Sequence, residues 1–102
     1  MLVMAFSLYF YPDAELELAE AVGWYEEQSN KLGFNFYEDY IAVRNQLLQN
    51  PGAFPIIFGN VRRANFRKFP YSLFFVVERE SVVIYAVFHQ KRNPKSWLGR
   101  LE

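Results

Sequence analysis

At Asn50-Pro51-Gly52 the hydrophobic rhythm of the chain changes. Before this point apolar residues recur every three or four positions, and after it they come in short β-branched and aromatic runs. Side chains share a face about every 3.6 residues in a helix and every second residue in a strand, so the two rhythms belong to different structures. Pro51 makes the boundary sharp. It has no amide hydrogen to donate, its ring clashes with a preceding helical turn, and it disfavours helical geometry at Asn50. Helices gathered on one side of a break and strands on the other predict an α+β fold rather than the alternating order of a parallel α/β fold.

The segment before the break resolves into three elements. Ala5–Tyr11 is short, apolar and aromatic and stops at Pro12, which reads as a first strand. Pro12 suits the first turn of a helix, and Asp13, Glu15 and Glu17 suit the positive end of its dipole. Ala14, Leu18, Ala21, Val22 and Tyr25 then mark a buried stripe on a helix over Pro12–Gln28. Gly23 weakens that helix and suggests a close approach by a second one. After the turn Ser29–Gly33, a second helix over Gly33–Asn50 carries two stripes. One is Phe34, Tyr37, Ile41, Arg44 and Leu48, and the other is Phe36, Tyr40, Val43 and Leu47. Two stripes predict a helix covered over more than half its girth, in an antiparallel hairpin with the first.

Beyond the break, Ala53–Asn60 contains Pro55 and Gly59 and reads as a loop, followed by strands over Val61–Phe66, Tyr71–Glu78 and Ser81–Phe88. Arg79-Glu80 is poor chemistry for a two-residue turn, which predicts a longer hairpin loop. In the middle strand Leu73, Phe75 and Val77 are apolar, and so are Phe74 and Val76. A strand apolar on both faces is central, and it needs a second cover besides the helices: the chain's own tail or another protein. Lys95–Glu102, after Asn93-Pro94, reads as a tail with room for one short helical turn. The 102 residues amount to one domain, with no repeat, linker or low-complexity stretch.

Composition narrows the functional classes. Cysteine is absent and His89 is the single histidine, so no thiolate chemistry, disulfide or protein-only zinc site is expected, and no cofactor is implied. No apolar run approaches a membrane span, and Met1–Tyr11 lacks a basic n-region and a small-residue cleavage site. The expected compartment is the cytoplasm. The net charge of zero hides a division. Residues 1–50 hold eight acids and two bases, a net −6, and residues 51–102 hold nine bases and three acids, a net +6. Either a basic face awaits an anionic partner, or the two halves pack together and neutralise each other. The 11 Phe, 7 Tyr and 2 Trp are a large aromatic load for a small domain, which suggests apolar surface kept for a partner.

An ordered set of local matches carries a family resemblance. Glu15-Leu16, Ala19, Ala21 and Trp24-Tyr25-Glu26 form the first piece, and Leu32-Gly33 with Phe36 the second. Asn50-Pro51, Arg62-Arg63 and Arg67-Lys68-Phe69-Pro70-Tyr71 with Phe75 come next. Ala86-Val87-Phe88-His89, Arg92-Asn93-Pro94, Trp97 and Arg100 complete it. The set, spanning about residues 5–100, resembles the RelE/ParE superfamily of toxins from type II toxin–antitoxin systems, in its ParE-like "plasmid stabilisation" branch. The resemblance implies an N-terminal strand, a two-helix antiparallel hairpin, an antiparallel sheet of three further strands and a short C-terminal tail. It also implies a cognate antitoxin as partner. ParE-like members bind DNA gyrase, RelE-like members cut mRNA on the ribosome, and a non-toxic binding module on the same fold is a third reading.

These readings make different chemical demands. A metal-free ribonuclease needs a base for the 2′-OH, cations around the phosphate and an acid for the leaving oxygen. Arg67 and Arg92 are the candidate catalytic cations and His89 the candidate acid, on the nuclease reading alone. Arg62, Arg63, Lys91, Trp97 and Arg100 are candidates for contact with the target or a nucleic acid. Each has a plainer alternative: His89 closes the last strand, the arginines protect a sheet edge, and Trp97 is a lid on the core. No base stands out, and RelE-like nucleases carry basic residues where this chain has Asn65 and Ser72. The missing parts favour the gyrase-binding reading. Alternation along the strand further predicts that Arg62 and Arg63 face opposite ways, with Arg62, Arg67, His89 and Arg92 expected on one face or rim.

Overall fold

The computed structural model describes residues 6–101. Strand β1 (Ser7–Phe10) leads into helix α1 (Pro12–Gln28), and helix α2 (Leu32–Gln49) returns antiparallel to it. A 3₁₀ turn at Pro51–Ala53 precedes strands β2 (Ile56–Phe58), β3 (Val61–Asn65), β4 (Tyr71–Glu78) and β5 (Ser81–His89), and the chain ends in 3₁₀ turns over Pro94–Leu101. The sheet order is β1-β5-β4-β3-β2. This is the expected α+β architecture, with Ala5 and Glu102 of the expected first strand and tail lying outside the described residues.

Three details differ from expectation. Residues 53–60 are not all loop: β2 pairs with β3 through Ile56 opposite Arg62, so four strands follow the hairpin. Three residues between a proline and a glycine are too few to show alternation, and an edge strand tolerates the neighbouring proline. Strand β1 pairs parallel to β5, Ser7 beside Ser81 through Phe10 beside Ile84, while the other pairs are antiparallel. The β4–β5 connection is tight, with Glu78 opposite Ser81 and Arg79 left-handed at φ 55°.

The hairpin covers one face of the sheet. Ala14, Leu18 and Ala21 of α1 and Phe36, Tyr40, Val43 and Leu47 of α2 pack against Leu73, Phe75, Val82, Ile84 and Val87. The second stripe of α2 is therefore core. The first leaves Phe34 62% and Tyr37 42% exposed, so α2 is covered over less of its girth than expected. The helices touch at Gly33 rather than Gly23. A Cβ on Gly33 would lie 2.6 Å from the Val22 carbonyl oxygen, whereas one on Gly23 would meet nothing within 4 Å. Glu26 closes the turn by accepting the N–H groups of Lys31 and Gly33, both at 3.1 Å. Two otherwise orphaned donors at the start of α2 are thereby satisfied.

The opposite face of the sheet is covered by the tail. Trp97, 1% exposed, lies over Val61, Phe74, Val76, Ala86 and Phe88, which explains why β4 is apolar on both faces. Arg100 pins the tail in place. Its guanidinium donates to both carboxylate oxygens of Glu17, at 3.0 and 2.6 Å, and to the Tyr85 carbonyl at 2.8 Å. The hydrogen bond to Glu17 holds the Arg100 pKa above its ordinary value, although partial burial works the other way. No helix among the described residues is long and apolar enough to cross a membrane.

Candidate functional site

The sheet register assembles a polar rim where β3 and β5 end and β4 begins. Tyr71 opens β4 opposite His89, and Ser72 lies opposite Asn65. Arg63 pairs with Phe74, putting it on the tail-covered face, while Arg62 pairs with the core residue Phe75. Arg63, Asn65, Ser72, His89, Gln90 and Arg92 thus line a groove of about 250 Å3. At its floor the Ser72 hydroxyl donates to Asn65 Oδ1 at 2.6 Å, which leaves the Asn65 amide N–H groups as donors.

His89 and Arg92 also line a neighbouring cleft of about 520 Å3, with Glu17, Glu20, Trp24 and Tyr25 on its helix side and Tyr71 on its sheet side. The Arg92 guanidinium lies 3.9 Å over the Phe88 ring, a cation–π contact that orients it without a carboxylate partner. His89 Nδ1 accepts the Lys91 N–H at 3.1 Å, and the His89 ring meets Tyr71 edge-on at 5.3 Å. An accepting Nδ1 requires the proton of the neutral ring on Nε2. Burial raises the Tyr25 and Tyr71 phenols above the ordinary tyrosine range, so neither is a base at neutral pH. Among the described residues no group of three His, Asp or Glu side chains is placed to hold a metal ion.

The expected single-face cluster divides. Arg63 joins His89 and Arg92, with exposed Lys91 beside them. Arg62 does not, because its Nη1 donates to the carbonyls of Gly52 and Phe54 at 3.2 and 2.6 Å and ties β3 to the turn after α2. Arg67 lies apart in a groove shared with Phe34, Glu38 and Lys68. Its loop is held by the buried Asp39, whose carboxylate accepts the backbone N–H groups of Arg67, Lys68 and Phe69 at 3.2, 2.8 and 3.0 Å. Trp97 and Arg100, candidates for target contact, are occupied as lid and pin, so neither is presented to a partner in this conformation.

A family model described as the ParE toxin of the parDE type II toxin–antitoxin system matches residues 8–94. The chain belongs to the ParE toxin family. Among solved structures it resembles a chain of the chromosomal ParDE toxin–antitoxin system from P. aeruginosa, with a TM-score of 0.73. The identity is 18%, and the match covers 85% of this chain and 98% of that one, a likeness of fold. No curated protein matches. As a member of the ParE family the protein is a type II toxin. Three acids that fix the tail, the β3–β4 loop and the helix turn of this ParE-family chain, Glu17, Asp39 and Glu26, are not singled out for those contacts by the sequence. Their partners are 83, 28 and 5 residues away, respectively, and only the Glu26 contact is close enough along the chain for local spacing to suggest it.

Proposed function

We propose that the protein inhibits growth by binding DNA gyrase and is held inactive by a cognate antitoxin that covers exposed apolar surface of the helix hairpin. The observation that carries the choice of gyrase over RNA cleavage is the Asn65–Ser72 hydrogen bond at the floor of the cationic groove. Those two neutral side chains stand where a RelE-like nuclease would carry basic residues, and no carboxylate lines the groove to accept a 2′-OH proton. In the adjoining cleft Glu17 is committed to Arg100, and Glu20 lies on the helix side. General acid–base help contributes roughly 10²–10⁴-fold per group, so such a site is a slow nuclease at best. A protein-binding inhibitor has no such requirement and draws its energy from a few aromatic and arginine anchors.

The deciding experiment assays the purified full chain for inhibition of gyrase supercoiling and, separately, for mRNA cleavage on translating ribosomes. The expected result is gyrase inhibition that survives His89→Ala and Glu20→Gln. Ribosome-dependent cleavage by the wild type, abolished by either variant in a folded protein, would establish the nuclease reading instead. For the antitoxin, the tail covers the outer sheet face, and the hairpin offers apolar side chains in water at Leu16, Phe34 and Tyr37. Phe34→Ser combined with Tyr37→Ser is expected to weaken the complex about tenfold or more in a titration with the product of the adjacent reading frame. An unchanged affinity would place the antitoxin elsewhere.

A further inference from the structure

We infer that the rim groove and its adjoining cleft form a binding site for single-stranded nucleic acid, with phosphate held at Arg63 and Arg92 and a base stacked at Trp24. The inference is independent of the gyrase target. It starts from the donor set. Arg63, Arg92, Asn65 and His89 line one groove whose lining contains no carboxylate, and the Asn65 amide N–H groups and the Nε2–H of the neutral His89 ring are left as donors. Donors without competing acceptors fit an anion, and the planar guanidiniums fit the paired oxygens of a phosphodiester. Among the described residues Arg100 is the sole basic side chain that forms ion pairs, so Arg63 and Arg92 are not neutralised from within. Arg92 is already oriented by the Phe88 ring.

The second half of the argument is the cleft. It is joined to the groove through His89 and Arg92, which line both. Trp24 on its helix side is 53% exposed and lies perpendicular to the Tyr25 ring at 5.0 Å, a contact that leaves half of the indole side chain in water. A cationic groove running into an aromatic surface is the pairing that single-stranded nucleic acids require, because phosphate and base repeat together along the strand. Glu17 and Glu20 line the cleft alongside His89 and Arg92 but not the groove; Glu17 is committed to Arg100, and Glu20 is an acceptor suited to base N–H groups. An acidic peptide would use the cations but has no need of the stacking surface.

The test is fluorescence anisotropy of labelled oligothymidylate and oligouridylate with the full chain, across a salt series. Whichever binds more tightly identifies DNA or RNA as the source. Arg63→Gln with Arg92→Gln is expected to weaken binding about tenfold or more at low salt and to reduce the salt slope by about 1.4, two phosphate contacts' worth. The control, Lys31→Asn with Arg79→Asn, removes two cations from distant turns and is expected to change affinity less than about twofold, asparagine tolerating the left-handed geometry there. Oligonucleotide should also quench the tryptophan fluorescence, and Trp24→Phe should abolish the quenching because Trp97 is buried. Equal losses in the two double variants, quenching that survives Trp24→Phe, or no oligonucleotide binding at low salt would each overturn the inference. So would polyglutamate binding that depends on Arg63 and Arg92 where oligonucleotides fail to bind.

Discussion

Two glycine-to-alanine substitutions in the helix hairpin should change stability in opposite directions. Both glycines lie in helices, where alanine is favoured over glycine by about 1 kcal/mol in the interior. At Gly23 nothing opposes that gain: the position is exposed, and an added methyl meets no atom within 4 Å. Gly23→Ala is therefore expected to stabilise by about 0.5–1 kcal/mol. At Gly33 the methyl would lie 2.6 Å from the Val22 carbonyl oxygen and 2.9 Å from Glu26 Cβ. Neither atom can give way cheaply. The first is helix backbone, and the second belongs to a side chain whose carboxylate is fixed by the Lys31 and Gly33 N–H groups. Overpacking of this kind costs about 1–3 kcal/mol, and parting the helices also strains the Glu26 cap. The propensity gain is smaller here because Gly33 sits in the first turn of α2.

The net expectation for Gly33→Ala is a loss of about 1–3 kcal/mol. At about 4 °C per kcal/mol for a chain of this size, thermal melts should place Gly23→Ala about 2–4 °C above the parent and Gly33→Ala about 4–12 °C below it. Urea denaturation should give the same order with unchanged m-values. A Gly33→Ala variant as stable as the parent, or a Gly23→Ala variant clearly less stable, would refute the assignment of the close approach to Gly33.

Trp97→Ala should destabilise by about 3–5 kcal/mol in urea melts, since the buried ring packs on Phe58, Phe74 and Tyr85. Trp97→Phe should cost far less, because it keeps an aromatic ring and removes an indole N–H that has no acceptor. Asp39→Ala should cost about 3 kcal/mol, and hydrogen exchange at the Arg67–Phe69 amides should accelerate more than at β4 amides; uniform exchange would show that the loop does not depend on the carboxylate. Burial pushes the Tyr40 phenol up to about 12, despite the nearby Arg44. The unfolded chain releases this proton near pH 10 and the folded one near 12, so stability should fall as pH rises through that window and Tyr40→Phe should flatten part of the fall.

Periodicity located both helices because their buried positions, Ala14, Leu18 and Ala21 on α1 and Phe36, Tyr40, Val43 and Leu47 on α2, repeat at helical spacing. It did not separate the stripe of α2 that meets the sheet from the one that faces water, since both are apolar and spacing carries no information about what lies opposite. The parallel pairing of β1 with β5 was hidden for a related reason. A strand's sequence sets its faces, and its neighbour is chosen by contacts more than 70 residues away. At the site, alternation placed Arg62 and Arg63 on opposite faces, but which one joins His89 follows from the pairing of Arg63 with Phe74. Trp97 as a lid was legible from the doubly apolar β4. Arg100 as its pin was not, because it needs Glu17, 83 residues away.

The division of charge along the sequence left two readings open, and the contacts decide between them. Had the halves neutralised each other by packing, the acids of the hairpin would meet the bases of the sheet. Among the described residues Arg100 alone does so, with Glu17 at 2.6 Å and Asp13 at 3.8 Å. Asp39, the one acid of α2 that reaches the β3–β4 loop, bonds its backbone amides and not the side chains of Arg67 or Lys68. The remaining acids of α1 and α2 stay exposed on the helix layer, and Arg63, Arg67, Lys68, Lys91, Arg92 and Lys95 stay exposed around the sheet rim and tail. A neutral chain thus keeps two surfaces of opposite sign. Exposed pairs contribute little to stability, so this separation costs the fold almost nothing. What it preserves is a field at each surface, which speeds encounter with partners of opposite charge and repels those of like charge. Apart from Trp24, which borders the rim cleft, the apolar residues exposed on the helix layer and the donors gathered at the rim are therefore suited to different partners, and a partner on one does not by charge alone compete with a partner on the other.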